Sequence, residues 1–372
     1  MAEEMASIPK EILEYANYLI SLIKKSTENH PLKTAYKNKS SYFCNFIDFM
    51  IHLHKELSDT DCNAILIDKL QLSKSEFDEN QYYEAATELT VIFHLYCIKH
   101  TRFEYEKTQK KGTDKQPECA VFSSTGCKFI AEAKCPVQEN THITSNQQQT
   151  LIFKNAGRAN SKDEQKSFLD TMNADLSSQN VVIKQAKNTD NKMLDFLQSA
   201  SLKFADETNN NELNILFVAL DSVNQIQEWV NYFYYNKGFF TTNSFAAEEP
   251  YCYADRKNAT TFVEPYFKNV HFIVFTNNCF RHKNNSNIEG SAWKLNESFN
   301  FALQNPFADL VPKKEAIQEF FSYLGVYTKD IQNYKMDCVP NTPADVLDSV
   351  KIITYVKKEL EEKQCKYYWS KL

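Results

Sequence analysis

Glycine is scarce in this chain, 6 residues in 372, and the glycine-rich loops that cradle phosphates are missing with it. No GxxxxGK(S/T), GxGxxG or GxSxG occurs, so Walker-type ATP hydrolysis, dinucleotide chemistry and serine hydrolysis have no support. No apolar run approaches the ~18 residues of a membrane helix. The opening MAEEMASIPKEILEY has neither the basic nor the apolar region of a signal peptide. These absences predict a soluble, unexported, cytoplasmic protein with no membrane partner. CxxC pairs are also missing: the ten cysteines lie mostly inside apolar runs, which reads as free buried thiols in a reducing compartment. There is no excess of positive charge either. The formal net charge is -6, which excludes a coat of basic surface but not a local basic groove, because phosphate binding depends on the residues that touch phosphate. No internal repeat of 20–50 residues is visible.

What the chain has is apolar and aromatic residues, 42% and 13%, enough for a large core. Apolar residues at helical spacing predict helices over about Ile8–Lys25, Tyr42–Leu57, Asp61–Leu72 and Glu79–His100, the second half of the last being apolar on nearly every side. The period then changes to two. RFEYEKT, PECAVF and CKFIAEAK alternate, with SSTG as turn chemistry, and predict a three-strand meander. A helix over Asn191–Asp206 and the strands LNILFVALD and NVHFIVFTN follow, the strands apolar throughout, as suits burial on both faces. The C-terminal stretches KKEAIQEFFSYLG and PADVLDSVKIITYVKKELEEK read as helices, and 287–304 is ambiguous. The expected architecture is α/β, a mixed central sheet flanked by helices. It divides into an N-terminal helical region (1–78), a core (79–285) with an insertion over about 229–267, and a C-terminal helical region (286–372).

Three charges interrupt the meander. If Phe122 pairs with Lys128, the antiparallel register stacks Cys119 on Ala131 and Val121 on Phe129, and sets Glu118 opposite Glu132 on the other face, with Lys134 one step along. Two facing carboxylates repel unless a divalent cation such as magnesium lies between them. A lysine on the same face then orients a water or stabilises charge building on phosphorus. On the same repulsion argument, Glu132→Ala and Lys134→Ala are expected to leave stability nearly intact.

The residues Pro117-Glu118, followed across the hairpin by Glu132-Ala133-Lys134, resemble the active-site signature of the PD-(D/E)XK nucleases. The likeness extends to the order of elements over about 79–277, helix, three-strand meander, helix and strand. It implies a restriction-endonuclease-like core with N- and C-terminal helical additions. It also implies a hydrolase that cuts DNA, with RNA as the other candidate, using Mg²⁺ or Mn²⁺ as its substitute. By the same resemblance Glu118, Glu132 and the Ala133 carbonyl bind the metal, Lys134 assists the water, and Glu88 supplies a further carboxylate from the helix, with Glu84 in reserve. A glutamine on the following helix would come from Gln147, Gln148 or Gln149, and Gln148 stands for them. The family's usual aspartate after proline is here Glu118; Asp114 is the other acid nearby. Four more (D/E)xK tripeptides, at Glu164, Asp190, Asp255 and Glu361, lack the strand context.

Lys110, Lys111 and Lys115, with Lys107, form a basic loop before the proposed site and are candidate phosphate contacts, or a solvated turn. Cys119 reads as a buried structural thiol. The appended helices would serve an oligomer or a regulatory protein partner. Two further readings compete with the nuclease. In one, Glu118, Glu132 and Lys134 form an ordinary polar strand end; in the other, a nuclease-like fold binds nucleic acid or protein without cutting.

Overall fold

The helices form where apolar spacing and end chemistry agree. The computed structural model describes residues 9–110, 112–136, 149–153, 181–185, 189–206, 209–220, 267–288, 290–324, 326–327 and 367–370, with single positions at 167, 170, 171, 174, 229 and 233. Helix α1 (Lys10–Lys25) buries Leu19, Leu22 and Ile23 and ends on Lys24 and Lys25, which suit the negative end of its dipole. Helix α2 (Pro31–Lys37), not anticipated from periodicity, starts on proline, and the His30 ring accepts the Leu32 N–H. Helix α3 (Ser41–Leu53) buries Phe46, Phe49 and Met50. Helix α4 (Asp59–Asn63) runs into a π-helical segment, Ala64–Lys69. Helix α5 (Glu79–Tyr96) is capped by Asp78, whose carboxylate accepts the Gln81 N–H.

The meander forms as expected: β1 (His100–Tyr105), β2 (Cys119–Ser123) and β3 (Lys128–Lys134) pair antiparallel. The expected register holds from Phe122↔Lys128 to Cys119↔Ala131. The ladder ends there, however. Glu118 N–H donates to Ala131 O at 3.0 Å, so Glu118 stands beside the strand end and not squarely opposite Glu132. Helix α6 (Thr189–Lys203) leads to β6 (Glu212–Ala219), parallel to β3, and β7 (Phe272–Thr276) is parallel to β6. Between β3 and α6, β4 (Gln149–Phe153) and β5 (Val181–Gln185) make a separate parallel pair that no sequence pattern had announced. The short helix α7 (Asn278–Lys283) follows β7.

Three more strands come from the C-terminal region, which corrects its expected all-helical character. The ambiguous stretch 287–304 ends in β8 (Asn300–Gln304), and β9 (Val326–Tyr327) and β10 (Tyr367–Ser370) complete the sheet. Strand order is β1-β2-β3-β6-β7-β8-β10-β9, a mixed eight-stranded sheet among the described residues. Only KKEAIQEFFSYLG is seen as the helix expected there, α8 (Lys314–Leu324). The helix expected in PADVLDSVKIITYVKKELEEK lies outside the described residues, as does most of the insertion about 229–267.

One buried core runs through all three expected regions. It joins Phe46 and Phe49, Leu89 and Ile92, Phe129 and Phe217, and Trp293 and Phe320. Trp293 Nε1–H donates to Tyr42 O at 3.1 Å, tying the last region to the first. On the face bearing Phe129, α5 and α8 cover the sheet, with Phe320 5.6 Å from Phe129 and 6.3 Å from Phe217 between ring centres. The alternate residues of β3, Ile130 and Glu132, point to the other face. Helix α6 reaches Glu132 there through its last residue, Lys203. Asn269 fixes the end of α6 by donating to Ser201 O at 2.9 Å and Phe204 O at 3.2 Å. Among the described residues no helix is long and apolar enough to cross a membrane. The described cysteines Cys44, Cys62, Cys97, Cys119, Cys127, Cys135 and Cys279 are all free thiols.

Candidate active site

Six segments converge at one end of β2 and β3. Glu118 precedes β2 and is buried; Glu132 and Lys134 lie on β3; Glu88 comes from the middle of α5. The π segment adds Lys69, the residue after β1 adds Glu106, and the end of α6 adds Lys203. These last three were not anticipated. Glu106 was within reach of the pattern: Tyr105 pairs with Cys119, so continuing the meander's register by one residue sets Glu106 beside Glu118. Lys69 and Lys203 come from remote segments, and no spacing in the chain marks them.

The cluster is a chain of alternating charges with Glu118 in the middle. On one side, Lys69 Nζ bonds Glu88, lies 2.6 Å from Glu106 Oε1 and stands 3.8 Å from Glu118 Oε2. On the other side, Lys203 Nζ grips Glu132 by both oxygens at 2.6 and 2.8 Å and stands 3.7 Å from Glu118 Oε1. Lys134 Nζ is 2.7 Å from Glu132 Oε1. Tyr105 donates its hydroxyl to Glu106 at 3.1 Å.

The four carboxylates outnumber the three ammoniums, and the imbalance shows in Glu118. Burial first, then the Glu88 and Glu132 charges, push its carboxyl well above the ordinary range. Glu88 is also burdened by burial, but Lys69, the hydrogen bond shared with Glu118, and Lys134 carry it below its ordinary value. Of these two carboxyls Glu118 is therefore the one biased towards its protonated form. Burial acts to lower the Lys134 ammonium, yet Glu132 overcomes it and the net shift is upward. Lys134 is held as a cation, a donor and a positive charge rather than a proton acceptor. Lys69 is likewise raised by Glu88, Tyr105 and Glu118 against the opposing effect of burial.

Carboxylate oxygens of Glu88, Glu106 and Glu118 all lie within 4.8 Å of one another, close enough to share one metal ion. This set shares Glu118 with the expected metal ligands and Glu88 with the expected site, and takes Glu106 in place of Glu132, whose two oxygens are held by Lys203. Ala133 is buried between Glu132 and Lys134. Hard oxygen donors of this kind suit Mg²⁺ or Mn²⁺. Glu84, one turn before Glu88, is half-buried and raised first by that burial and then by Asp78, with Lys134 opposing; it borders the cluster. Asp114 is exposed in the loop before β2.

The candidate phosphate contacts separate. Lys110 is paired with Asp206, and Lys107 lies 3.1 Å from Glu104. Lys115 is exposed. Lys111, Gln147 and Gln148 lie outside the described residues, and of Gln149 only the backbone, in β4, is described. Cys119 is fully buried, and burial and the neighbouring carboxylates push its thiol well up, so it is no nucleophile. His282 is enclosed between Tyr42 OH and Thr90 Oγ1, each 2.9 Å away, and burial lowers its pKa to about 3.

No family model matches this chain, and neither a curated protein nor a solved structure does.

Proposed function

We propose that this protein is a metal-dependent nuclease with a restriction-endonuclease-like core, cutting DNA at the cluster around Glu118. The observation that carries the reading is the convergence of Glu88, Glu118, Glu132 and Lys134 from three separate elements into one patch, with Glu118 and Glu132 buried and Glu88 and Lys134 partly so. Burying two of the cluster's carboxylates, Glu118 and Glu132, and half-burying Glu88 beside them is a poor route to stability, since desolvating such charges costs about as much as their ion pairs return. The element order supports the same reading: α5, the meander β1–β3, α6, then β6 parallel to β3. Free thiols at all seven described cysteines fit a reducing compartment such as the cytoplasm.

Glu88, Glu106 and Glu118 are the residues to hold the ion, with Glu132 and the Ala133 carbonyl on the adjoining strand as the ligands the family resemblance implies. When bound, Mg²⁺ or Mn²⁺ supplies a neutralising charge for phosphate oxygen and a water of lowered pKa. Lys134 contributes a fixed ammonium, aimed by its 2.7 Å contact with Glu132, that stabilises negative charge growing on the phosphoryl group. Glu132 thus positions Lys134, and Lys203 in turn holds Glu132.

One observation favours a second reading, a nuclease-like fold that binds without cutting: the three lysines already neutralise most of the cluster. Labelled linear and circular DNA, with an RNA control, should be incubated with wild type and Lys134→Met under Mg²⁺, Mn²⁺ and EDTA. Metal-dependent cutting, lost in a variant of unchanged circular dichroism, is the expected result. If wild type neither cuts nor binds Mn²⁺, the cluster is a structural ion network, and the second reading stands only if the protein still binds the labelled DNA.

A further inference from the structure

The ammonium of Lys69 stands where a metal ion would have to stand. Its contacts are to the three carboxylates whose oxygens lie within 4.8 Å of one another. An ion bonded to those oxygens at about 2.1 Å would fall within a bond length or two of the ammonium, too close for two cations to coexist. We infer that Lys69 is the resident counter-cation of the Glu88/Glu106/Glu118 triad and that a divalent ion enters by exchange with it. The inference rests on the metal-dependent reading above and adds which position the ion takes and what it displaces.

The local structure is built for such an exchange. Lys69 closes a six-residue π-helical segment, a rare conformation found mostly at functional sites. The backbone around it is pinned: Leu70 N–H donates to Ile65 O at 2.9 Å, and His30 Nε2–H donates to Leu70 O at 2.9 Å. Ile65, Leu66 and Leu70 are fully buried. Only the side chain is free to move, and at 26% exposure it has a way out to water. The Tyr105 ring, 5.6 Å from Nζ, offers the departing ammonium an aromatic face. The stretch carrying Lys69 lies outside the helix-meander-helix-strand core, so the N-terminal helices would set the metal affinity of a site they do not otherwise form. In the absence of metal, Lys69 keeps a counter-charge on the triad and the fold stays intact.

Lys203 is the competing candidate, since it stands between Glu118 and Glu132. Both lysines make two short bonds, but Lys203 at 17% exposure against 26% has less of a way out to water and is the less exchangeable of the two.

The test titrates Mn²⁺ by calorimetry into wild type, Lys69→Met, Lys203→Met and Lys107→Met. The last removes an exposed charge near the site without touching the triad. Lys69→Met should bind Mn²⁺ at least about tenfold tighter than wild type, and the other two should change by less. Melting in EDTA should drop for Lys69→Met and recover on adding Mn²⁺ by more than wild type gains; a merely structural lysine would lower melting equally in both. Reductive methylation of wild type, read by peptide mass spectrometry, covers the case in which the variant fails to fold. Lys69 should become more reactive with Mn²⁺, while exposed Lys10 is unchanged. If wild type binds Mn²⁺ but Lys69→Met binds no tighter, or Lys203→Met is the variant that tightens, or Lys69 labelling does not rise, the exchange is refuted while the nuclease reading survives. No Mn²⁺ binding by any of the proteins, together with no DNA cutting, defeats both.

Discussion

Glu132→Ala is the perturbation for which repulsion between facing carboxylates and the folded structure give opposite answers. Seen as one of two facing carboxylates, Glu132 should be removable at no loss of stability. In the structure it is completely buried, with Lys203 at 2.6 and 2.8 Å from its two oxygens and Lys134 at 2.7 Å. Truncation leaves two ammoniums without their anion. Breaking a buried ion pair from one side costs about 3–5 kcal/mol. Lys203 and Lys134 retain 17% and 25% exposure, so water relieves part of this, and about 2–3 kcal/mol is expected. Glu118→Gln should behave differently. Burial and the Glu88 and Glu132 charges bias its carboxyl towards the neutral form, which an amide matches in shape and charge, so the change should stay within about 1 kcal/mol of wild type. Urea unfolding in EDTA at neutral pH, followed by circular dichroism, compares the two. Adding Lys203→Met to Glu132→Ala should recover part of the loss, because the pair then leaves together. If Glu132→Ala unfolds within about 0.5 kcal/mol of wild type, or Glu118→Gln proves equally costly, the alternating-charge description of the cluster is wrong.

Two other perturbations read the scaffold. Burial lowers the pKa of His282 to about 3 and of His30, His94 and His271 to about 4. The unfolded chain therefore binds protons first as pH falls below about 6.5, and each histidine removes about 1.4 kcal/mol of stability per pH unit from there down to its folded value. Urea midpoints at about pH 7 and about pH 5.5 should show this loss, with His282→Gln flattening the slope; an unchanged slope in the variant would place the proton uptake elsewhere. At Gly290, with φ +78°, an added Cβ would lie 2.4 Å from Glu297 Oε2, whereas at Gly112, with φ +80°, it would meet nothing within 4 Å. Glu297 Oε2 accepts the Ser291 N–H at 2.6 Å, a bond it must give up to make room, so Gly290→Ala should cost more than the ~1 kcal/mol expected for backbone strain in Gly112→Ala, as thermal melts of the two variants would show.

Alternation and turn chemistry are local, and they determined the meander outright: Phe122↔Lys128 through Cys119↔Ala131 follows from period two and a Ser/Gly turn. The apolar runs Leu213–Ala219 and Phe272–Thr276 announced strands buried on both faces, and these are the parallel centre of the sheet. Glu118, Glu132, Lys134 and Glu88 could be singled out because the first three break an apolar pattern and the last sits where the helix turns apolar. Strand β8 escaped because its mix of Asn, Phe, Ala, Leu and Gln has no clear period, and its strand form depends on pairing with β7. Only the tertiary structure brought Lys69 and Lys203 to the carboxylates, since a lone lysine at a segment end carries no periodic mark and its meaning depends on what packs against it. That contact, absent from any local pattern, turns a repelling pair into a neutralised cluster and reverses the expected effect of removing Glu132.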